Sequence, residues 1–297
     1  MTMDYIHEYN RYRNLVEEWI QDRITVPDLP EKTLVEAMRY SLMAGGKRLR
    51  PVLSLAVCDM LGGDTEDVLP FACAIELIHT YSLIHDDLPC MDNDDFRRGK
   101  PTSHKVFGEA MAILAGDALL NTACEIMLDA VIAERNDPLT KAAAARIIME
   151  ATGASGMIAG QVIDLESENA PVSYKVLCRM HKLKTGALIR ASVLSAARLC
   201  KTDEKTWDAL DRYGRHIGLA FQIKDDLLDF EGDAAVTGKS AGIDERNRKS
   251  TFVTVLGADR AREMLSEAVR EAISALENIE NAGFLARTAA YIAEREK

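Results

Sequence analysis

Apolar residues recur at three- and four-residue spacing along almost the whole chain, which is typical of amphipathic α-helices. No stretch keeps the alternation of apolar and polar residues that marks a strand bounded by hairpin turns. The pattern predicts ten to twelve helices in one all-α domain of residues 1–297, with no interdomain linker. Gly, Pro, Asn or Asp mark the expected breaks, which fall at 26–31, 61–65, 88–102, 136–138, 167–173, 202–205, 231–251 and 281–283.

The composition supports a helical protein with a large core. Of 297 residues, 47% are hydrophobic and 6% aromatic, with 8 prolines and 18 glycines, so disorder is excluded. The formal charge of -11 leaves no basic face for a nucleic-acid backbone, and we expect no nucleic-acid partner. A negatively charged substrate would need metal ions to bridge it to such a protein.

The sequence carries no evident targeting or membrane-spanning segment. Its longest apolar run, residues 52–61, contains Asp59 and is about half the length that a bilayer requires. Asp4 and Glu8 stand where a signal peptide would carry basic and apolar residues. We therefore expect a cytoplasmic protein without stable membrane insertion.

A first acidic cluster follows the apolar helical pattern of residues 71–84. Five carboxylates lie within ten residues, and Pro89 is expected to end the helix beside them. Such a cluster at a helix C-terminus is electrostatically unfavourable unless a cation occupies it, and Mg²⁺ binds a few carboxylates together with water and phosphate oxygens. A solvated acidic loop is the alternative. The carboxylates belong to Asp86, Asp87, Asp92, Asp94 and Asp95.

A second acidic cluster comprises Asp225, Asp226 and Asp229. Helical geometry places these three on one stripe with Gln222. Carboxylates on two facing helices can hold divalent ions between them, and such ions can clamp a diphosphate. Upstream of the first cluster, His79 falls on the same helical stripe as Asp86, which favours a role in that site over a purely structural one.

Short basic segments accompany the two acidic clusters. The sequence GGKRLRP at 45–51 sets three cations after two glycines, and Arg97 and Arg98 follow the first cluster. Arginine and lysine side chains are suited to the outer oxygens of a metal-bridged polyphosphate. Further cations are Lys184, Lys239, Arg246, Arg248 and Lys249.

These motifs resemble those of the trans-isoprenyl diphosphate synthases, from GGKRLRP at 45–51 through KST at 249–251. The first cluster is similar to the family's DDxxxxD form and the second to its DDxxD, preceded by Phe221-Gln222. Residues 160–164 are similar to its GQxxD helix. The resemblance implies an all-α prenyltransferase fold around a deep central cavity, usually in a homodimer. It also implies three Mg²⁺ ions per active site, with Mn²⁺ as a substitute, and isopentenyl and allylic diphosphates as substrates.

The resemblance also implies a role for each matching residue. The predicted metal ligands are Asp86, Asp92 and Asp225, supported by Asp87, Asp226 and Asp229. The predicted contacts of isopentenyl diphosphate are Lys47, Arg50, His79 and Arg98. Those of the allylic diphosphate are Arg97, Lys184, Lys239 and Lys249. The allylic cation is expected to face Thr185, Gln222 and the carbonyl of Lys184.

Product length is expected to depend on Tyr81. The resemblance to bacterial farnesyl diphosphate synthases implies that this tyrosine forms the floor of the product cavity, so a C15 product is favoured and C20 is the alternative. Helical geometry places Tyr81 about 140° around the helix from Asp86, which by itself does not put the ring directly below the metals.

Other classes of protein account for fewer of the motifs. An HD-type phosphohydrolase would use His85-Asp86 and leave the second cluster unexplained. A terpene cyclase has little use for Lys47, Arg50 and Arg98. A di-iron bundle would need a second ExxH motif beside residues 76–79. A regulatory subunit would not need both metal clusters intact.

Overall fold

The computed structural model describes residues 3–168, 172–232 and 250–295. In this part of the chain the fold is almost entirely helical, which confirms the predicted class. It contains fourteen α-helices, two of only five residues, and one short hairpin. The helices are α1 Met3–Arg23, α2 Lys32–Leu42, α3 Leu49–Met60, α4 Thr65–Asp86, α5 Ser103–Phe107, α6 Glu109–Ala133, α7 Pro138–Thr152, α8 Met157–Ser167, α9 Tyr174–His181, α10 Ala187–Leu199, α11 Glu204–Glu231, α12 Phe252–Leu256, α13 Ala258–Ala275 and α14 Gly283–Glu294.

The expectation of no hairpin was wrong at one point. Strands β1 Phe96–Arg97 and β2 Lys100–Pro101 pair antiparallel within the predicted break at 88–102. Arg98 and Gly99 form the two-residue turn with φ of 54° and 75°, and this pair of positive φ angles is the geometry that matches strand twist. Strands of two residues are too short to produce a visible alternation in the sequence.

Helix α4 lies at the centre of the molecule, packed against α3, α6 and α10. Phe71, Ile75 and Ile78 are fully buried, and apolar residues cover α4 on every side, as expected of a core helix. The helix ends at Asp86, three residues before Pro89, as predicted. The chain's apolar pattern therefore places the first acidic cluster at the end of a core helix.

A π-helical turn at Lys182–Gly186 connects α9 to α10. Gly160 of α8 lies against this turn, and a β-carbon at that position would stand 2.1 Å from the backbone nitrogen of Lys184. Only glycine permits so close an approach. Gly160 thereby brings α8 into direct contact with the turn that carries Lys184 and Thr185.

Two helices have the length and mean hydropathy of a membrane span, α4 and α6. The uninterrupted apolar runs of the sequence remain shorter than a membrane span; the two helices pass because a mean hydropathy tolerates the polar residues that end such a run. Within the 18-residue apolar segment of each helix, 67% of α4 is buried inside the protein, but only 33% of α6 is buried. Helix α6 therefore leaves an apolar face exposed, with Leu128 57% and Ile132 79% accessible.

Candidate active site

The two acidic clusters line a single cavity of about 570 Å³. Its walls come from the loop before α3, the C-terminal ends of α4 and α11, the β1–β2 hairpin, α8 and the π-turn. Most of the residues predicted for the site lie on this cavity, namely Lys47, Arg50, His79, Asp86, Asp92, Arg97, Arg98, Lys184, Thr185, Gln222 and Asp225. Lys239 and Lys249 lie outside the described residues.

Asp86 is held by side chains from α8 and from the π-turn. Gln161 Nε2 donates a hydrogen bond of 2.6 Å to Asp86 Oδ1, and Lys184 Nζ lies 3.6 Å from Asp86 Oδ2. Lys184 also donates to Asp164 at 2.6 Å. The GQxxD residues of α8 thus orient the first acidic cluster and its neighbouring cation together.

Asp87 pairs with Arg97 and, unlike Asp86, does not line the cavity of the described residues. Arg97 Nε lies 2.7 and 2.9 Å from the two carboxylate oxygens of Asp87, and its Nη2 lies 3.4 Å from Asp94. Asp87 is only 3% exposed. This paired geometry fixes the guanidinium of Arg97, a predicted contact of the allylic diphosphate, at the rim of the cavity.

The second acidic cluster belongs to a chain of hydrogen bonds that starts on the π-turn. Thr185 Oγ1 donates to Gln222 Oε1 at 2.8 Å, and Gln222 Nε2 donates to Asp226 Oδ1 at 2.8 Å. Asp226 Oδ2 in turn accepts from the backbone nitrogen of Phe252 at 2.7 Å. The structure therefore brings together Thr185 and Gln222, the two oxygen-bearing side chains predicted to face the allylic cation.

Asp225 faces the cavity and is paired with an arginine from α14's end. Arg295 Nη2 lies 2.6 Å from Asp225 Oδ1 and 3.0 Å from the carbonyl oxygen of Phe221. The guanidinium carbon stands 4.2 Å above the Phe221 ring, a cation–π distance. Each predicted metal cluster therefore has a protein cation beside it, Lys184 at Asp86 and Arg295 at Asp225.

The loop before α3 is anchored from three directions. Tyr9 donates to the carbonyl oxygen of Lys47 at 2.8 Å, and Arg48 donates to Glu76 of α4 at 2.7 Å. Arg98 donates to the carbonyl of Gly45. Gly46 has a φ of +125°, and a β-carbon there would lie 2.6 Å from the Arg98 guanidinium carbon. These contacts place the cationic residues predicted to bind isopentenyl diphosphate in one corner of the cavity.

Burial dominates the electrostatics of this corner. It lowers the pKa of Lys47 to about 8, and the charges of Arg295 and Arg98 act in the same direction. It lowers the pKa of Arg50 to about 10, which leaves the guanidinium charged at neutral pH. Burial, reinforced by Arg50 and Arg98, lowers the pKa of His79 well below its ordinary value, so the imidazole is neutral at neutral pH and contributes no charge to this corner.

Tyr81 does not line the cavity formed by the described residues. It is 6% exposed, and its ring packs edge-on against His85 with the ring centroids 5.7 Å apart. The Tyr81 hydroxyl is buried without a hydrogen-bond partner. This position agrees with the helical geometry, which turns Tyr81 away from Asp86, and its predicted role as a floor stays a prediction.

The donor set of the cavity fits a divalent ion that is completed by its substrate. Asp86, Asp92 and Asp225 offer carboxylate oxygens, the ligands that Mg²⁺ prefers. Among the described residues, no three acidic, histidine or cysteine side chains converge to form an ion site by themselves. Mg²⁺ retains water and phosphate ligands in many such sites, so an incomplete protein cage is compatible with this ion.

Among the described ionisable residues that line the cavity, Glu76, His181 and Arg295 were given no site role in the sequence. Glu76 lies three residues before His79, so helical phase was a signal for it. His181 is 8% exposed and stacks on Phe252 with centroids 5.1 Å apart, and burial lowers its pKa to about 4. No local pattern marks His181 or Arg295, because tertiary packing alone brings them to the cavity.

Comparisons with known proteins agree with this geometry. A farnesyl diphosphate synthase of Micrococcus luteus is 44% identical over 268 residues, which cover 90% of this chain and 91% of that protein. A chloroplastic geranylgeranyl pyrophosphate synthase of Capsicum annuum is 46% identical over 264 residues, 88% of this chain and 71% of that protein. A geranyltransferase from Helicobacter pylori, solved in complex with magnesium and isoprenyl diphosphate, is 30% identical, with a TM-score of 0.85 and coverage of 99% of this chain and 98% of that one.

The family model described as polyprenyl synthetase matches residues 31–284. This range extends from the start of α2 into α14 and includes both acidic clusters and the loop before α3. It therefore contains nearly every element that lines the cavity, and the chain belongs to the polyprenyl synthetase family.

Proposed function

We propose that this protein is a trans-prenyltransferase that condenses isopentenyl diphosphate with dimethylallyl and then geranyl diphosphate, giving farnesyl diphosphate and diphosphate. The observation that carries the proposal is the convergence of Asp86, Asp92 and Asp225 on one cavity that also holds the predicted cations. Residues 1–297 form a single domain in this proposal, and the enzyme works in the cytoplasm.

In this proposal Asp86, Asp92 and Asp225 hold three Mg²⁺ ions, for which Mn²⁺ can substitute. When bound, these ions neutralise the charge that develops on the departing allylic diphosphate. Arg97 and Lys184, together with Lys239 and Lys249, meet its outer oxygens. Because the charge on the leaving group grows during ionisation, these contacts strengthen in the transition state and raise kcat.

Thr185 and Gln222 stabilise the allylic cation by their oxygen dipoles. Gln222 Oε1 accepts from Thr185 at 2.8 Å and its amide donates to Asp226, so its carbonyl is held in a fixed orientation. Neither side chain is a strong nucleophile that would trap the cation. Leu83 and Leu228 on the same cavity help to exclude water, which would convert the cation to an alcohol.

Lys47, Arg50, His79 and Arg98 hold the diphosphate of isopentenyl diphosphate. This placement directs the double bond of isopentenyl diphosphate toward C1 of the allylic cation, where the new carbon–carbon bond forms. A proton then leaves the adjacent carbon. No described carboxylate or imidazole is assigned as its acceptor, and the released diphosphate is the base in this proposal.

Incubation of the purified chain with dimethylallyl diphosphate, isopentenyl diphosphate and Mg²⁺, followed by dephosphorylation and chromatography, tests the function. Farnesol is the expected product. Geranylgeraniol as the main product would assign the C20 activity instead. Diphosphate cleavage without isopentenyl diphosphate, or no prenyl product, would contradict a prenyltransferase.

Replacement of Tyr81 by alanine is expected to lengthen the product from C15 to C20 or more. The substitution removes a buried ring beside His85 and leaves a void next to α4, into which a longer product is expected to extend. Tyr81→Phe is the matched control, and it should retain the C15 product because the ring and not the hydroxyl occupies the space. An unchanged product from Tyr81→Ala would show that this ring does not set chain length.

The pH dependence of kcat/KM for isopentenyl diphosphate is expected to report Lys47. The lowered pKa of about 8 means that the charge of Lys47 is present below this pH and lost above it. The value of kcat/KM should therefore fall as pH rises through about 8, since this parameter reports the free enzyme. Lys47→Arg keeps the charge and should move the fall to higher pH. An identical profile in that variant would assign the fall to another group.

We further propose that two copies of the chain associate through the exposed face of α6. Leu114, Leu128 and Ile132 are 53%, 57% and 79% exposed on one stripe of that helix. Asp117 and Glu125 interrupt the same stripe, and lipid would disfavour these charges, so a protein partner fits better than a membrane. Light scattering of Leu128→Glu should show a monomer where the unmodified chain gives a dimer, and an unmodified chain of monomer mass would contradict the proposal.

A further inference from the structure

The contacts of Arg295 provide a second use for this residue, which neither the motifs nor the comparisons assign. Arg295 is the last described residue, and its side chain is 2% exposed, whereas that of its partner Asp225 is 43% exposed. The open side of Asp225 therefore faces the cavity while its Oδ1 accepts from the buried guanidinium.

Resting on the proposed metal role of Asp225, we infer that Arg295 is the counter-cation of Asp225 in the metal-free enzyme and competes with the divalent ion for that carboxylate. A guanidinium 2.6 Å from Asp225 Oδ1 and a metal ion on the same oxygen would repel each other. An ion on the open side of Asp225 and the guanidinium on Oδ1 share one carboxylate, so each is expected to weaken the binding of the other.

Arg295 has contacts that remain when Asp225 is released. Its Nη2 donates to the carbonyl oxygen of Phe221 at 3.0 Å, and its guanidinium carbon stands 4.2 Å above the Phe221 ring. Neither contact involves a carboxylate. The guanidinium can therefore move away from Asp225 and stay partly satisfied, which keeps the exchange between protein cation and metal ion readily reversible.

The pair also explains how two acidic clusters coexist before metal binds. Lys184 lies 3.6 Å from Asp86 Oδ2, and it is hydrogen-bonded at the same time to Asp164. Arg295 offers the same kind of neutralisation at the second cluster. Because Arg295 belongs to the end of α14 and Asp225 to α11, metal binding at Asp225 alters a contact between these two helices.

Binding of Mn²⁺ to the substrate-free protein, followed by electron paramagnetic resonance of the free ion, tests this inference without any turnover. Arg295→Met keeps an apolar side chain on Phe221 and removes the competing charge. We expect it to tighten Mn²⁺ binding by roughly 2- to 5-fold, the size of effect for a partly exposed ion pair. A purely structural role would weaken binding, since a disordered site binds metal less well.

Two further variants make the result specific. Arg262→Met removes an exposed arginine of α13 that pairs with Glu231, at the end of the helix α11 that also carries Asp225. This variant should leave Mn²⁺ affinity unchanged. In an Asp225→Asn background, Arg295→Met should no longer tighten binding, because the carboxylate for which it competes is gone. Should Arg295→Met not fold, Arg295→Gln is the alternative variant, with the same expected direction.

The outcomes separate this inference from the proposed function. If Arg295→Met leaves Mn²⁺ affinity unchanged or lower, or still raises it in the Asp225→Asn background, the competition is overturned. If Asp225→Asn leaves Mn²⁺ affinity unchanged with Arg295 present, the metal role of Asp225 is wrong and both proposals lose their basis.

Discussion

Replacing Asp86 by alanine is expected to lower kcat by about three orders of magnitude, the scale seen when a main electrostatic contact of a transition state is lost. Asp86 lies at the C-terminal end of α4, oriented by Gln161 at 2.6 Å. Without its carboxylate the first metal site loses a ligand where leaving-group charge must be neutralised. Steady-state kinetics at saturating Mg²⁺ and both substrates would measure the loss.

Asp95→Ala is the matched control for this prediction. Asp95 belongs to the same acidic run, but its side chain is 61% exposed and pairs with Lys105 at 2.7 Å. It is expected to keep wild-type kcat. Circular dichroism should show both variants folded, because removing Asp86 relieves repulsion among neighbouring carboxylates. Wild-type turnover by Asp86→Ala would refute the metal assignment at this position.

Replacing Glu76 by alanine is expected to reduce the free energy of unfolding by about 3 kcal/mol, since the buried guanidinium of Arg48 then keeps only Glu17, at 3.5 Å, as an acidic partner. The side chains of Arg48 and Glu76 are 1% and 2% exposed, with 2.7 Å between Nη1 and Oε1. Urea denaturation would measure the change. The KM for isopentenyl diphosphate should also rise, because Arg48 anchors the loop that presents Lys47.

A surface pair supplies the comparison for Glu76. Arg146 and Glu150 also lie 2.7 Å apart, but their side chains are 78% and 59% exposed. Glu150→Ala should therefore cost only about 0.5 kcal/mol, as exposed helical pairs do. Equal losses of stability in the two variants would mean that burial does not determine the strength of the Arg48–Glu76 interaction.

Local sequence patterns predicted the helices of this fold better than the loops and short strands that connect them. The helix that ends near Pro89 and the stripe of Gln222, Asp225 and Asp226 follow from steric and periodic rules that act within a few residues. The break at 43–48 was not among the predicted breaks, and the close approach that requires a glycine at position 46 involves Arg98, far along the chain. The two-residue strands were missed because they are too short to show an alternating pattern.

The sequence by itself determined the helical class, the end of α4 and the two acidic clusters, because each depends on backbone preferences or charge within one or two turns. Only the tertiary structure decided that Gln161 orients Asp86, that Glu76 anchors Arg48 and that Arg295 pairs with Asp225. Each of these contacts joins residues distant in sequence. They form because packing of the apolar helices sets the distances between side chains, and no local pattern encodes that packing.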